Sequence, residues 1–215
     1  MNTFTTISVS SARITPGISF ETQRPENIRM LLDFYQKAKN YVLIHGYKGE
    51  VEWCERRESF EFTTADVFFF EYVYVVLNAG MKEQVARKMY DKFCSELNIE
   101  VIGHPGKRKA IGAALNNYKS WFETIKSAGD DTVRIERMGE LPWIGDITKY
   151  HLARNIGIDC VKPDRHLKRL AEQFRFETPL AMCVEIQKIT GEKLGVIDVV
   201  LWRYCNLNGS CVKRA

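Results

Sequence analysis

A short turn between two helical segments, within residues 139–157, constrains the fold of this chain more than any other stretch. The turn Leu141–Gly145 has the sequence LPWIG, and the apolar residues on both sides of it recur mostly at helical spacing. The flanking segments are residues 132–140 and 146–156, and Gly157 suits a left-handed cap at the end of the second. The pattern therefore predicts two helices joined by a tight hairpin.

The start of the second predicted helix is a candidate anion site. Gly145 followed by Asp146 places backbone N–H groups without helical partners at the positive end of a helix dipole. Such a terminus suits a phosphate group.

A third helix is predicted from Asp164 to about Phe174, opened by the sequence KPDRH. Asp164 lies 19 residues after Gly145 in the sequence. The pattern L-P-x-I-G, a helix ending in Gly, and then D-x-H resembles the helix-hairpin-helix base-excision DNA glycosylases. That superfamily includes endonuclease III, the adenine–mismatch glycosylases and the alkylpurine glycosylases. Each half of the pattern alone would be weak, but their agreement in spacing makes the resemblance fairly specific.

The resemblance implies that Asp164 is the catalytic carboxylate. Cleavage of an N-glycosidic bond develops positive charge on the sugar, and a preorganised carboxylate stabilises that charge and orients or deprotonates the attacking water. The base must first leave the helical stack, because the bond is inaccessible in a duplex. The predicted partner is therefore duplex DNA that contains a damaged or mismatched base.

The resemblance also implies a DNA-contact surface and a cation site. Trp143 stands where the family hairpin usually has its first glycine, and its indole could pack on DNA or on the core. Asn78 is the polar candidate for the residue that fills the gap left by an extruded base. The implied DNA-contacting residues are Asn78, Trp143, Gly145, Ile147, Thr148, Lys149 and His166. The backbone carbonyls of Gly139, Leu141 and Ile144 are the implied ligands of a monovalent cation, K⁺ or Na⁺.

Ile147 occupies the position at which strand-nicking members of the family carry a lysine that forms a Schiff base. Lys149 follows two residues later, about 200° around an ideal helix, and is expected to point elsewhere. The prediction is a monofunctional glycosylase with water as the nucleophile. Three alternatives stay open: a glycosylase/lyase that uses Lys149, a non-catalytic helix-hairpin-helix DNA-binding protein, and an unrelated helical protein.

The charge distribution supports a nucleic-acid partner better than the net charge does. The formal charge of the 215-residue chain is only +4. Between positions 149 and 169, however, six basic residues stand against two acidic ones, Asp159 and Asp164. The basic excess coincides with the motif, as phosphate contacts require.

The six cysteines do not form the closely spaced set of four that holds an iron–sulfur cluster in the endonuclease III branch. Only Cys205 and Cys211 are near each other, so no cluster and no other cofactor is predicted. The sequence shows neither a signal peptide nor an apolar run of membrane-spanning length. These features predict an intracellular, reduced, monomeric protein.

Along the whole chain, helical periodicity recurs in roughly nine segments with almost no strand pattern, which predicts an all-α, two-lobed fold. Residues 47–62 are charged and predicted to be irregular, with Trp53 as their buried anchor. The predicted organisation is an N-terminal extended arm (1–21), a discontinuous helical lobe (22–62 and 159–215) and a helical barrel that ends in the hairpin (63–158).

The identity of the damaged base does not follow from the sequence, because a pocket is assembled by the fold. The aromatic candidates for its lining are Trp53, Tyr72, Tyr118 and Trp121. Glu71, alone in an apolar run, is interpreted as a structural carboxylate that needs hydrogen-bond partners.

Overall fold

The computed structural model describes the backbone of residues 20–209, and side chains from residue 25 onward. Ten α-helices and no strand occur within this range, and the all-α prediction is confirmed. The helices are α1 Phe20–Val42, α2 Lys48–Arg56, α3 Ala65–Asn78, α4 Glu83–Glu96, α5 Pro105–Lys126, α6 Asp131–Gly139, α7 Thr148–Asn155, α8 Arg165–Gln173, α9 Pro179–Thr190 and α10 Leu194–Leu207. A π-helical turn, Leu43–Tyr47, and two 3₁₀ turns, Phe60–Phe62 and Ile99–Val101, complete the regular structure of the described range.

The N-terminal boundary differs from the prediction. Helix α1 begins at Phe20, within the predicted arm of residues 1–21, and contains Pro25. A proline near a helix start removes only one backbone hydrogen bond, and the helix continues past it. The predicted extended arm otherwise falls on residues 1–19, outside the described residues.

Helix α2 lies where irregular structure was expected, and the prediction that Trp53 is buried is wrong. Trp53 is 40% exposed, whereas Val51 and Cys54 form the buried face of the helix. Glu52 lies within 3.4 Å of the Lys48 ammonium on one side and of the Arg56 guanidinium on the other. These i,i+4 pairs favour a helix on its exposed face, and they obscure its short apolar stripe in the sequence.

One hydrophobic core surrounds α3, which is apolar on nearly all sides. Phe68 and Tyr72 of this helix are fully buried. Helices α4, α5 and α7 pack on α3, and α6 packs on α5 and α7. Thr64 caps the helix by accepting the Val67 N–H at 3.3 Å. This core contains both helices that flank the hairpin.

A second core lies between α1, α2 and α8 to α10. Leu31, Tyr35 and Ala38 form one buried face of α1 against α10. The segment between the cores is tied down by hydrogen bonds, from Thr63 Oγ1 to the Ile156 carbonyl at 2.7 Å and from Phe60 N–H to the Gly157 carbonyl at 3.1 Å. The end of α7 and the start of α8 thus lie where the two cores meet.

The cysteines of the described range differ in their redox state. Cys54, Cys94, Cys160 and Cys183 carry free thiols, whereas Cys205 is disulfide-bonded, which departs from the expectation of reduced cysteines throughout. None of the described helices combines the length and the apolar character that a membrane crossing requires.

Candidate active site

The hairpin between α6 and α7 is anchored from inside the first core. Tyr72 donates its hydroxyl to the Pro142 carbonyl at 2.6 Å, while Leu141 and Ile144 are buried beside it. The Ile144 N–H donates to the Leu141 carbonyl at 3.1 Å, which closes the turn. The LPWIG sequence therefore forms one fixed turn, because its apolar residues point into the core.

Helix α7 begins at Thr148, two residues later than predicted, and this changes which amides are free. Thr148 Oγ1 accepts the Gly145 N–H at 2.8 Å, so that amide is not available to a phosphate as the sequence suggested. The N–H groups of Asp146, Ile147 and Thr148 have no acceptor among the described residues. The candidate anion site is therefore shifted by one residue toward α7.

Trp143, at the hairpin position for which the resemblance implied a glycine, has a left-handed backbone conformation. Its φ is +67°, a left-handed value that few side chains adopt. The indole lies against Gly106, where any Cβ would collide with the ring, and meets the His104 ring nearly edge-on at 5.0 Å. Packing on the start of α5 compensates the strain and leaves the side chain 42% exposed beside the hairpin.

Lys149 faces α6 rather than a cavity. Its Nζ donates to Glu136 Oε1 and Oε2 at 2.9 and 2.7 Å, and the residue is only 8% exposed. The hydrogen bond to Glu136 raises the pKa of Lys149. Lys149 therefore ties the two hairpin helices together as a cation.

Asp164 is the N-terminal cap of α8. Its Oδ1 accepts the N–H groups of His166 and Leu167 at 2.8 and 3.1 Å. Its Oδ2 accepts no hydrogen bond from the described residues. The loop before it is fixed from α10, because Asp198 Oδ2 accepts the Lys162 N–H at 2.6 Å. One carboxylate oxygen is thus used for structure and the other is left for a ligand.

The fold brings Asp164 and Ile147 together. A cavity of about 450 Å³ is lined by Ile147 from the hairpin, Asp164 and His166 from the start of α8, and Trp202 from α10. Burial lowers the pKa of His166. The attraction of Asp164 raises it in part, and the repulsion of Arg165 and Arg169 lowers it further. The candidate carboxylate Asp164 and the residue Ile147 therefore line one space.

A larger cavity of about 550 Å³ adjoins the first and shares with it the side chains of Lys162, Trp202 and Asn206. Asn78 lines this larger cavity from the end of α3. The buried Lys107 ammonium fixes the end of α3 by donating to the carbonyls of Leu77 and Ala79 at 2.6 and 2.7 Å. Asn78 is therefore held beside the larger cavity.

Sequence reasoning missed several residues of the larger cavity, and the aromatic candidates that it named are mostly elsewhere. Tyr72, Tyr118 and Trp121 pack on the first core, while Trp53 lines a neighbouring cavity. The missed lining residues include Tyr47, Glu50, Tyr74, Glu83, His151, Arg154, Lys162, Asp198, Trp202, Arg203 and Asn206. Of these residues, Asp198 is the one that the sequence marks as unusual, because it is the single acidic residue in the apolar run VIDVVLW.

Glu71 has the structural environment that the sequence suggested. Its Oε2 accepts from Asn155 Nδ2 at 2.9 Å, and the Arg57 guanidinium lies 4.0 Å from Oε1. Burial raises the pKa of Glu71, partly offset by Arg57 and by the Asn155 hydrogen bond. Glu71 therefore joins the middle of α3 to the end of α7.

The hairpin carbonyls are compatible with a monovalent cation. Those of Gly139 and Ile144 accept no hydrogen bond from the described residues, and the Leu141 oxygen, which accepts one, has a second lone pair. No cluster of three His, Cys, Asp or Glu side chains suited to a metal occurs in the described part of the chain.

Comparisons with known proteins point to one fold. No family model matches the sequence, and no curated protein matches it significantly. The structure is similar to that of an 8-oxoguanine DNA glycosylase from Methanocaldococcus jannaschii, with a TM-score of 0.60 and 20% identity over 86% of this chain and 97% of that one. It is also similar to the 8-oxoguanine DNA glycosylase of Thermotoga maritima, with a TM-score of 0.62 and 18% identity over 86% of this chain and all of that one (100%). The chain therefore has the helix-hairpin-helix glycosylase fold that the motif indicated.

Proposed function

We propose that this protein is a DNA glycosylase that hydrolyses the N-glycosidic bond of a damaged or mismatched base flipped out of duplex DNA. The observation that carries the proposal is the cavity in which Asp164 faces Ile147, at the meeting point of the hairpin and the second core. Both elements of the sequence motif contribute to this one space. The likeness in fold to two DNA glycosylases supports the same reading.

In the proposed reaction, Asp164 acts through the carboxylate oxygen that does not cap α8. As the glycosidic bond lengthens, positive charge builds on the sugar, and a fixed carboxylate stabilises it without reorganising. The same oxygen orients and deprotonates the attacking water. The Asp198 hydrogen bond to the Lys162 N–H keeps the loop that presents Asp164 from moving during this step.

The hairpin is the proposed grip on the DNA backbone. The free amides of Asp146, Ile147 and Thr148 lie at the positive end of α7 and suit a phosphate oxygen. The carbonyls of Gly139, Leu141 and Ile144 would hold a monovalent cation, which would neutralise phosphate charge at the turn. His166 contributes a second phosphate contact, and Asn78 fills the space left in the duplex.

The surroundings of Ile147 and Lys149 support hydrolysis of the base without nicking of the strand. Ile147 faces Asp164 in the cavity, and an isoleucine cannot form a Schiff base. Lys149 is held by Glu136 on the other side of the hairpin. Water is therefore the proposed nucleophile, and the protein is proposed to act inside the cell, as a monomer and without an iron–sulfur cluster.

A second candidate function is a DNA-binding module without catalysis. The observation in its favour is that Asp164 has a complete structural task as the cap of α8. A module of this kind would bind duplex DNA and release no base.

Single-turnover base release from a set of duplexes tests the proposal against this alternative. Each duplex carries one lesion, and the set covers oxidised, deaminated and alkylated bases as well as simple mismatches. The 8-oxoguanine duplex is the first to test, since both similar structures are 8-oxoguanine DNA glycosylases. Release of at least one base is expected. Tight binding with no release from any duplex would favour the non-catalytic module.

A further inference from the structure

The carboxylates around the larger cavity already have partners. Arg203 donates to Glu50 Oε2 and Oε1 at 2.7 and 2.9 Å, and to Glu83 Oε2 at 3.1 Å. Asp198, which is 1% exposed, accepts the Lys162 N–H and lies 3.3 Å from Arg154 Nη1. These three carboxylates are therefore each paired with a cation, while the Glu83 side chain stays 47% exposed.

Hydrogen-bond donors in the same lining are in surplus. The Lys162 ammonium forms no hydrogen bond or ion pair with the described residues, and the contact that it does make is with the Trp202 ring, 6.0 Å from its centre. The Arg154 guanidinium has one ion pair, to Asp198, and forms no hydrogen bond with the described residues. Its Nε is enclosed by protein, so the donors that Arg154 can offer a ligand are its terminal amino groups. A ligand oxygen there would accept from donors that lack a protein acceptor.

His151 adds a third polar group to this end of the cavity. It lines the larger cavity with Arg154 and Lys162, and its ring meets the Tyr74 ring nearly edge-on at 6.1 Å. Burial and the two neighbouring cations lower the pKa of His151 well below its usual value. A neutral imidazole adds hydrogen-bonding capacity there without adding charge.

We propose that Arg154, Lys162 and His151 form the part of the pocket that reads the extruded base, and that they select bases with additional carbonyl oxygens. The proposal rests on the proposed glycosylase function and names its substrate class. Oxidation and deamination each place a new carbonyl acceptor on the edge of a base. Two cations with unused donors attract such an edge.

The same cations disfavour the other large class of lesions. Alkylation of a purine in DNA at N7 or N3 leaves the base positively charged, because these nitrogens carry no proton to lose. Such a base would meet Arg154 and Lys162 as like charges in a partly desolvated site, where repulsion is stronger than in water. The carboxylates that could offset this repulsion are engaged by Arg203 and by Arg154 itself. The pocket therefore discriminates by charge as well as by hydrogen bonding.

The test is a ratio of rates. Single-turnover release of 8-oxoguanine and of hypoxanthine is compared with release of 7-methylguanine, each in the same duplex context. The native protein is expected to release one or both carbonyl-bearing bases at least about 10-fold faster, which is the low end for a hydrogen bond to a charged group. Faster release of 7-methylguanine would overturn the proposal while leaving the glycosylase function intact.

Two variants assign the ratio to the named side chains. Lys162→Gln removes one cation and retains the backbone N–H that binds Asp198. The pair Arg154→Gln with Asp198→Asn removes the second cation without leaving a buried carboxylate unpaired. Each is expected to lower the ratio by about 10- to 100-fold. Lys188→Gln, on the exposed surface of α9, is the matched control and should leave it unchanged. An unchanged ratio in both cavity variants would overturn the proposal.

Binding of nucleosides separates this proposal from the proposed function. Inosine carries the added carbonyl, and 1-methyladenosine is a cation at neutral pH. If no base is released from any duplex, glycosylase function fails, but nucleoside-induced NMR shifts still test the pocket. Stronger shifts with inosine, lost in Lys162→Gln, would uphold the donor-rich pocket. Equal or stronger shifts with 1-methyladenosine would overturn it.

Discussion

Ile147 and Lys149 stand two positions apart at the start of α7, yet their side chains have different surroundings. Ile147 lines the cavity of Asp164, whereas Lys149 donates to both oxygens of Glu136. The hydrogen bond to Glu136 raises the pKa of Lys149, so that its amine is protonated at neutral pH. A protonated amine is not a nucleophile.

The first prediction follows at the scale of these residues. Incubation of the protein with lesion-bearing duplex and borohydride should leave no covalent protein–DNA adduct, because borohydride traps only a Schiff base. An adduct that forms and is lost in Lys149→Ala would refute this assignment. An adduct that is lost only in Lys162→Gln would show that Lys162, close to Asp164 in the chain, is the nucleophile in place of water.

At the scale of elements, the hairpin combines rigidity with an exposed edge. Tyr72 holds the Pro142 carbonyl from the core, and the Gly139 backbone lies close against the Lys149 side chain. Gly145 has open space around its Cα, and its φ is not left-handed. This position can therefore accept a side chain without strain in the folded protein.

The second prediction uses this open position. Gly145→Asp should weaken binding to every duplex sequence, by about 10-fold or more, because a carboxylate would face the phosphate that the α7 amides bind. The same carboxylate at a helix N-terminus favours the fold, so the melting temperature should not fall.

Gly145→Ala is the matched control, because it adds a side chain without charge. Fluorescence anisotropy with a labelled duplex measures both affinities. Equal affinities for the native protein and Gly145→Asp would show that the hairpin is not part of the DNA interface.

At the scale of the whole molecule, the placement of basic residues matters more than the net charge of +4. Arg165, Lys168 and the amides at the start of α7 lie around the smaller cavity, where backbone phosphates would pass. The third prediction is that affinity for duplex DNA falls steeply and linearly on a logarithmic salt scale, since bound cations displace counterions. Affinity independent of salt would contradict this binding mode.

Much of the helical scaffold could be predicted because its periodicity is local. The segment 132–140 is displaced from α6 by one residue, and the helix predicted from Asp164 to about Phe174 differs from α8 by one residue at each end. Helix α2 was missed because its stability derives from charge pairs and from packing on α10. Local patterns of helix amphipathicity do not reveal either contribution.

For the candidate site, too, features encoded locally could be predicted and long-range contacts could not. Asp164 and the hairpin could be proposed from the sequence because a motif fixes their spacing in the chain. The Glu50–Arg203 pair joins residues 153 positions apart, and the Asp198 contact with Lys162 spans 36, so no local pattern contains them. The start of α7 was misjudged because Thr148, rather than solvent or a ligand, satisfies the Gly145 amide.

The role of Asp164 is the central claim, and single-turnover base release by Asp164→Asn tests it most directly. Asparagine retains the oxygen that accepts the His166 and Leu167 N–H groups, so the cap of α8 and the melting temperature should be preserved. Duplex affinity should be equal or slightly higher, because an anion near phosphates is removed. Base release should fall by about 10²–10⁴-fold, as expected for loss of a positioned acid–base group. A variant that melts normally and releases base within about threefold of the native rate, well below that expected loss, would reduce Asp164 to a helix cap.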